Sequence, residues 1–247
     1  MWAEISRRTS SEGVSSHAFL GVSALLFAVS AAVTIVWCAS MSAMGEMTMP
    51  GGWTMSMAWM PAGQTWSAAA SFLGMWVVMM VAMMLPSLVP TLWRYSQAGL
   101  GQLTTLVGVG YFAVWTVFGM VAYLLGLALP RATPIAVGVV VLLAGFLQFT
   151  AWKARHLACC REAPAGERDR TAWQHGLSLG LHCSQCCVGL MAILLVIGVM
   201  NFLAMAVVAA AITVERLAPA GERVARATGA VALGAGLFLI ARAAGLG

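Results

Sequence analysis

The chain has 247 residues, of which 61% are hydrophobic and 9% charged, with a mean hydropathy of +0.90 and a formal net charge of +5. A soluble domain carries about a quarter of its residues as Asp, Glu, Lys or Arg, so this composition excludes a water-soluble globular protein. The Lys and Arg residues stand between apolar runs and form no basic, aromatic-laced surface, which excludes a nucleic-acid partner and makes the charge a reporter of membrane orientation.

Runs of roughly 20 apolar residues recur, each long enough to cross a bilayer core as a helix. The expected fold is an all-α polytopic membrane protein whose first partner is the lipid bilayer. Residues 1–17 read as a cytoplasmic tail carrying Arg7 and Arg8, and residues 18–247 as a single helical transmembrane domain. The first span runs from about Ala18 to Trp37. Its apolar stretch exceeds a signal-peptide core, so it reads as an uncleaved anchor in a bacterial inner membrane.

An outer loop, 39–67, follows. It holds Met41, Met44, Met47, Met49, Met55, Met57 and Met60, with Pro50, Pro61 and a Gly-Gly pair keeping it irregular. Thioethers bind Cu(I) without losing a proton. The competing reading is a loop in the lipid interface, with Met as flexible apolar filling and Trp53 and Trp59 as anchors.

The second span, about Ala68 to Pro90, carries "MWVVMMVAMMLPS". Met75, Met79 and Met83 are spaced i, i+4, i+8, and Met80 with Met84 repeats that spacing one residue on, giving a thioether stripe on one helical face. Alone, such a stripe reads as packing. Beside a Met loop and a Cys/His cluster it reads as a relay. Pro86 and Pro90 are expected to end or kink this helix. The third span lies near Thr104 to Leu129 and the fourth from about Pro134 to Trp152.

The inner loop, 153–187, contains "KARHLACC" and "HCSQCC", with His156, Cys159, Cys160, His182, Cys183, Cys186 and Cys187. On a helix His182 stacks with Cys186 and Cys183 with Cys187. Thiolate and imidazole select Cu(I) or Zn²⁺ over hard cations. Apolar packing of cysteine gives no reason for histidine beside cysteine twice. A CxxC pair (Cys183, Cys186) also permits thiol exchange, but no βαβ domain accompanies it. Gly176 and Gly180 form a GxxxG helix-contact signal.

From Gly176 to Val214 there is almost no charge, and a last span runs from about Ala227 to Ile240. One span beginning near Cys186 gives six transmembrane helices; a hairpin turning at 198–201 gives seven. With the N-terminus cytoplasmic, six spans place Arg7, Arg8, Arg94, Lys153, Arg155, Arg161, Arg168, Arg170 and Arg242 inside, nine cations against four. Seven spans give eleven against two, so charge favours seven. Six keeps the cysteines of both groups at one membrane face, and is the preferred reading.

At "WVVMMVAMMLPS", "KARHLACCREAP" and "GLHCSQCCVGLM" the chain resembles the family of domain of unknown function 2182, a predicted metal-binding integral membrane protein. Lys153, Leu157, Cys160 and Arg161 match that family's inner-loop pattern, and Cys183, Cys186, Cys187 and Met191 match its second motif. His156 stands where the pattern has a cysteine, a swap that the resemblance implies alters metal preference.

Together these features predict an integral membrane protein binding a soft metal ion, foremost Cu(I) with Zn²⁺ as the alternative, for transport or delivery to a partner. A metallochaperone or metalloprotein is the expected partner, with a homo-oligomer also open. No catalytic set is discernible. A membrane thiol oxidoreductase or copper-site assembly subunit is the alternative, and a metal-free membrane scaffold the second alternative. No intramembrane carboxylate or nucleotide-binding motif suggests an energy source.

Overall fold

The computed structural model describes residues 2–43, 47–48, 54–55, 66–97, 101–128, 133–161, 171–199 and 201–245, with side chains over 18–40, 66, 69–97, 103–125, 133–160, 171–199 and 201–245. Among these residues it is built of helices. They are α1 (Trp2–Ala43), α2 (Trp66–Gln97), α3 (Gly101–Ala128), α4 (Pro134–Leu147), α5 (Ala151–Arg161), α6 (Ala172–Ile197), α7 (Phe202–Leu217) and α8 (Gly221–Ala243). Two antiparallel two-residue strands, β1 (Met47–Thr48) and β2 (Thr54–Met55), set Met47 opposite Met55.

Five helices are long and apolar enough to cross a membrane, and six if the bent α4–α5 pair counts as one span. The all-α polytopic membrane class follows directly. Several boundaries differ from the sequence reading. Helix α1 runs back to Trp2 through the segment read as a tail. Helix α2 continues through Pro86 and Pro90 to Gln97 instead of ending there. A proline withdraws one backbone donor from the ladder, and just past Pro86 the Ser87 hydroxyl donates to the Met84 carbonyl at 2.9 Å.

The single span expected from Pro134 to Trp152 is instead two helices, bent by 68°. Thr133 caps α4, with its side chain accepting from the Ala136 N–H and Pro134 at the first helical position. Most of what was read as inner loop 153–187 is helical, as α5 and the first part of α6. A capping box of Thr171 and Gln174 starts α6 ahead of the expected start near Cys186. "HCSQCC" therefore sits in the middle of this helix, not at its beginning. Gly198, at φ 120°, ends α6, and Asn201 caps α7 by accepting from the Ala204 N–H. That break falls where the seven-helix alternative puts its turn, yet α7 has 16 residues, about 24 Å of helix against a hydrocarbon core of about 30 Å.

Small residues set the closest helix contacts. A Cβ added at Gly176 would lie 2.3 Å from the Val107 carbonyl oxygen, and one at Gly180 would lie 2.9 Å from that of Tyr111. The GxxxG pair is thus the seam between α6 and α3. Helix α4 packs against α8 in the same way, with Gly145 facing Leu233 and Gly236 facing Leu142. The interior is filled by Trp76, Tyr111, Trp115, Met79, Met80, Met84, Leu88 and Met191.

Candidate metal centre

Residues four apart on a helix lie one above the other, and α6 uses this to align its thiols. Cys183 and Cys187 have sulfurs 3.9 Å apart, and Cys186 and Cys187 3.8 Å apart. Helix α5 packs against α6 and adds a fourth thiol, Cys160, which lies beside both Cys183 and Cys186. The four sulfurs close a ring in the order 183, 187, 186, 160. All four residues are buried.

A metal–sulfur bond of about 2.3 Å separates two sulfurs on one ion by about 3.8–4.0 Å in tetrahedral or trigonal geometry. The two ring edges of 3.8 and 3.9 Å match that spacing. As the side chains stand, the thiols face one another as hydrogen-bonding groups. Among the described residues, no group of three or more His, Cys, Asp or Glu side chains is arranged to hold a metal ion in that conformation. Donor type and spacing fit a soft ion; the rotamers would have to open around it.

A polar cage surrounds the ring. Arg216 Nη1 donates to Cys183 Sγ at 3.3 Å, to Ser87 Oγ at 2.8 Å and to the Tyr111 oxygen at 3.4 Å. The Tyr111 hydroxyl donates to Cys183 Sγ at 3.0 Å. On the other flank Lys153 Nζ donates to the Cys186 carbonyl at 2.6 Å and to Glu215 Oε2 at 2.7 Å, while Gln148 Nε2 donates to Glu215 Oε1 at 2.9 Å. Lys153, Glu215 and Arg216 are all buried, at 3%, 1% and 5% exposure. Two cations and one anion leave a buried charge of +1 beside neutral thiols. Arg216 Nε and Nη2, moreover, are buried without a hydrogen-bond partner. Buried donors are nearly always satisfied, and unmatched buried charge is costly. A ring carrying negative charge on sulfur would relieve both. A cavity of about 340 Å³, lined by Ser87, Arg94, Cys160 and Arg216 among others, reaches this side of the ring.

The other residues predicted for the site lie around the ring. His156 and His182 face each other, Nδ1 to Nδ1 at 3.4 Å, beside the ring. Cys159 is exposed, so the seven N and S donors do not converge on one point. Met75, Met79, Met80, Met83 and Met84 are all buried and share one apolar core with the four ring cysteines and Met191. Of the outer methionines, Met44, Met49, Met57 and Met60 lie outside the described residues. Met41 is described only as part of α1, and Met47 and Met55 only as part of β1 and β2.

Sequence reasoning marked Lys153 through the family motif but missed Glu215 and Arg216 as members of the cage. Glu215 and Arg216 read as loop charges after an apolar stretch, yet both are inside. The available signal was that they end α7 without leaving its buried face. Met205, Val208, Ile212, Glu215 and Arg216 are all buried, and their spacing of three and four is that of one helical face. Tyr111 and Ser87 carried no signal in one dimension.

The fold and site define a class: a helical membrane protein with a caged, buried ring of soft-ligand thiols. The chain belongs to the copper chaperone family PpoB2, whose model matches residues 73–239. That stretch holds every residue of the ring and cage and the Met stripe, and leaves out α1 and the Met-rich outer segment. Copper association comes with that membership. Among curated proteins and solved structures nothing matches.

Proposed function

We propose that Cys160, Cys183, Cys186 and Cys187 hold Cu(I) inside the membrane domain and that the protein delivers it to a copper-requiring partner. The observation that carries this reading is the Arg216 guanidinium, with two unpartnered nitrogens, Nε and Nη2, buried against a ring of four thiols. Cu(I) held by two thiolates carries a charge of −1, which offsets the +1 of Lys153, Arg216 and Glu215. Membership of a copper chaperone family favours copper over Zn²⁺ as cargo, and the resemblance of the Cys motifs to domain of unknown function 2182 supports metal binding from the motif side.

In this reading Met75, Met79, Met80, Met83 and Met84 line the interior route to the ring, and Met41, Met44, Met47, Met49, Met55, Met57 and Met60 collect copper on the outer face. The Met84 carbonyl, Ser87 and Arg216 link the end of the stripe to Cys183 through successive hydrogen bonds, which supports continuity between the two. The protein sits in a bacterial inner membrane with its N-terminus cytoplasmic, and delivery is passive or driven by the partner.

Metal content tests this. Detergent-purified protein from cells grown with copper or with zinc is analysed by mass spectrometry, beside C183S/C186S/C187S, and titrated with a Cu(I) chelator. Copper near one ion per chain in wild type and its loss in the variant are expected. Zinc in its place refutes delivery of copper. A metal-free protein whose thiols undergo disulfide exchange supports the oxidoreductase alternative, and a metal-free, redox-inert one the scaffold.

A further inference from the structure

Helices α5 and α6 carry the same short pattern, His-x-x-x-Cys, as His156–Cys160 and His182–Cys186. Four residues is about one helical turn, so on each helix the histidine stacks over the cysteine. The packing of the two helices sets the patterns side by side. His156 Nδ1 meets His182 Nδ1 at 3.4 Å, and Cys160 lies beside Cys186. The result is a ladder with an imidazole rung and, one turn (about 5.4 Å) further on, a thiol rung. The thiol rung is buried. Both histidines are only half-buried, and His156 packs edge-on against Trp152 at 4.7 Å between ring centroids.

We infer that His156 and His182 form a second Cu(I) site, separate from the thiol ring, at which copper is exchanged with the outside of the molecule. This rests on the four-thiol reading above, because the pair gains its purpose from the ring one turn away. With a metal–imidazole bond of about 2.0 Å, nitrogens 3.4 Å apart subtend about 116° at the ion. That angle lies between tetrahedral and trigonal and leaves a coordination position open for the ligand of a donor or acceptor. Two neutral imidazoles keep the +1 charge of Cu(I) at the less buried end of the ladder, whereas the thiolates inside lie beside Lys153 and Arg216. Two neutral donors satisfy a d¹⁰ ion without fixing it, so this site exchanges quickly where the ring retains. Passage inward breaks two Cu–N bonds and forms Cu–S bonds to Cys160 and Cys186. Each thiol gives its proton to water as its bond forms, and copper stays Cu(I) throughout.

The test is a Cu(I) titration of the full chain in detergent against a chromophoric Cu(I) chelator, with X-ray absorption at the copper edge, on wild type, H156Q/H182Q, H182Q and C183S/C186S/C187S. Wild type is expected to take two equivalents, the weaker one with nitrogen neighbours at about 2.0 Å. H156Q/H182Q and H182Q each lose the weaker equivalent and keep the tight one unchanged; the triple serine variant does the reverse. A second equivalent that survives in both histidine variants overturns the inference. So does a histidine variant that weakens the tight equivalent, because the donors would then form one mixed site. One tight equivalent in wild type, untouched by either histidine variant, removes this inference and leaves the thiol ring standing. A wild type that takes no copper removes both.

Discussion

Glu215→Gln breaks the buried ion pair that ties α5 and α7 together. The pair is 2.7 Å long with both side chains almost fully enclosed, at 4% and 2% exposure. The substitution keeps the shape and leaves Gln148 an amide to bond, but strips Lys153 of its counter-charge and leaves its ammonium with the Cys186 carbonyl. Removing one partner of such a pair costs about 3–5 kcal/mol, because an uncompensated charge remains buried. Lys153→Met strands the carboxylate instead and is expected to cost a similar amount. The double variant K153M/E215Q removes both charges, so it should be more stable than either single variant, which requires a coupling larger than the single cost of about 3–5 kcal/mol. Unfolding in mixed micelles, followed by tryptophan emission during a dodecyl sulfate titration, reads all four proteins. Copper retention separates the two duties of Lys153: stability returns in the double variant, but the grip on the Cys186 carbonyl does not, so copper stays weakened. Strictly additive costs, or a single variant within 1 kcal/mol of wild type, would refute the assignment of this pair as a coupled, desolvated unit.

Arg216→Met is expected to weaken copper binding by roughly 10–100-fold, the usual effect of losing a group that supports metal ligands; Arg216→Lys should recover only part, since lysine can replace Nη1 but not the buried Nε and Nη2 donors. Chelator competition measures both. Gly176→Ala drives a Cβ to 2.3 Å from the Val107 carbonyl, so α3 and α6 must separate at a cost of about 1–3 kcal/mol, partly offset by about 1 kcal/mol of helix propensity. Gly74→Ala meets nothing within 4 Å and should melt no lower than wild type. M80L/M84L conserves volume and should cost less than about 1.5 kcal/mol, leave copper affinity at the ring unchanged, and slow copper uptake into vesicles if the stripe is a relay. Unchanged uptake would return these methionines to packing alone.

The membrane class was legible from composition alone, and the alignment of Cys183 with Cys187 from helical spacing alone. Both are local properties: hydropathy decides whether a segment can leave water, and the pitch of a helix decides which neighbours share its face. The boundaries were less legible. Capping by Thr171 and Gln174 starts α6 at Ala172, and Gly198 with Asn201 divides the long uncharged stretch in two. These signals were present, but the even hydropathy of 176–214 masked them.

What the sequence by itself determined is a set of apolar helices carrying soft ligands at turn spacing on α2, α5 and α6. Only the tertiary structure decided which of those ligands meet. Cys160 joins the ring while its neighbour Cys159 points away, because adjacent residues on a helix face about 100° apart and only one can meet α6. It also decided that Glu215, Arg216 and Lys153 turn inward. A charge next to an apolar run reads as a loop residue until a partner is found for it, and those partners come from distant parts of the chain: Lys153 for Glu215, and Ser87, Tyr111 and Cys183 for Arg216. Burial of a charge is a property of its surroundings, and the surroundings exist only once the helices have packed.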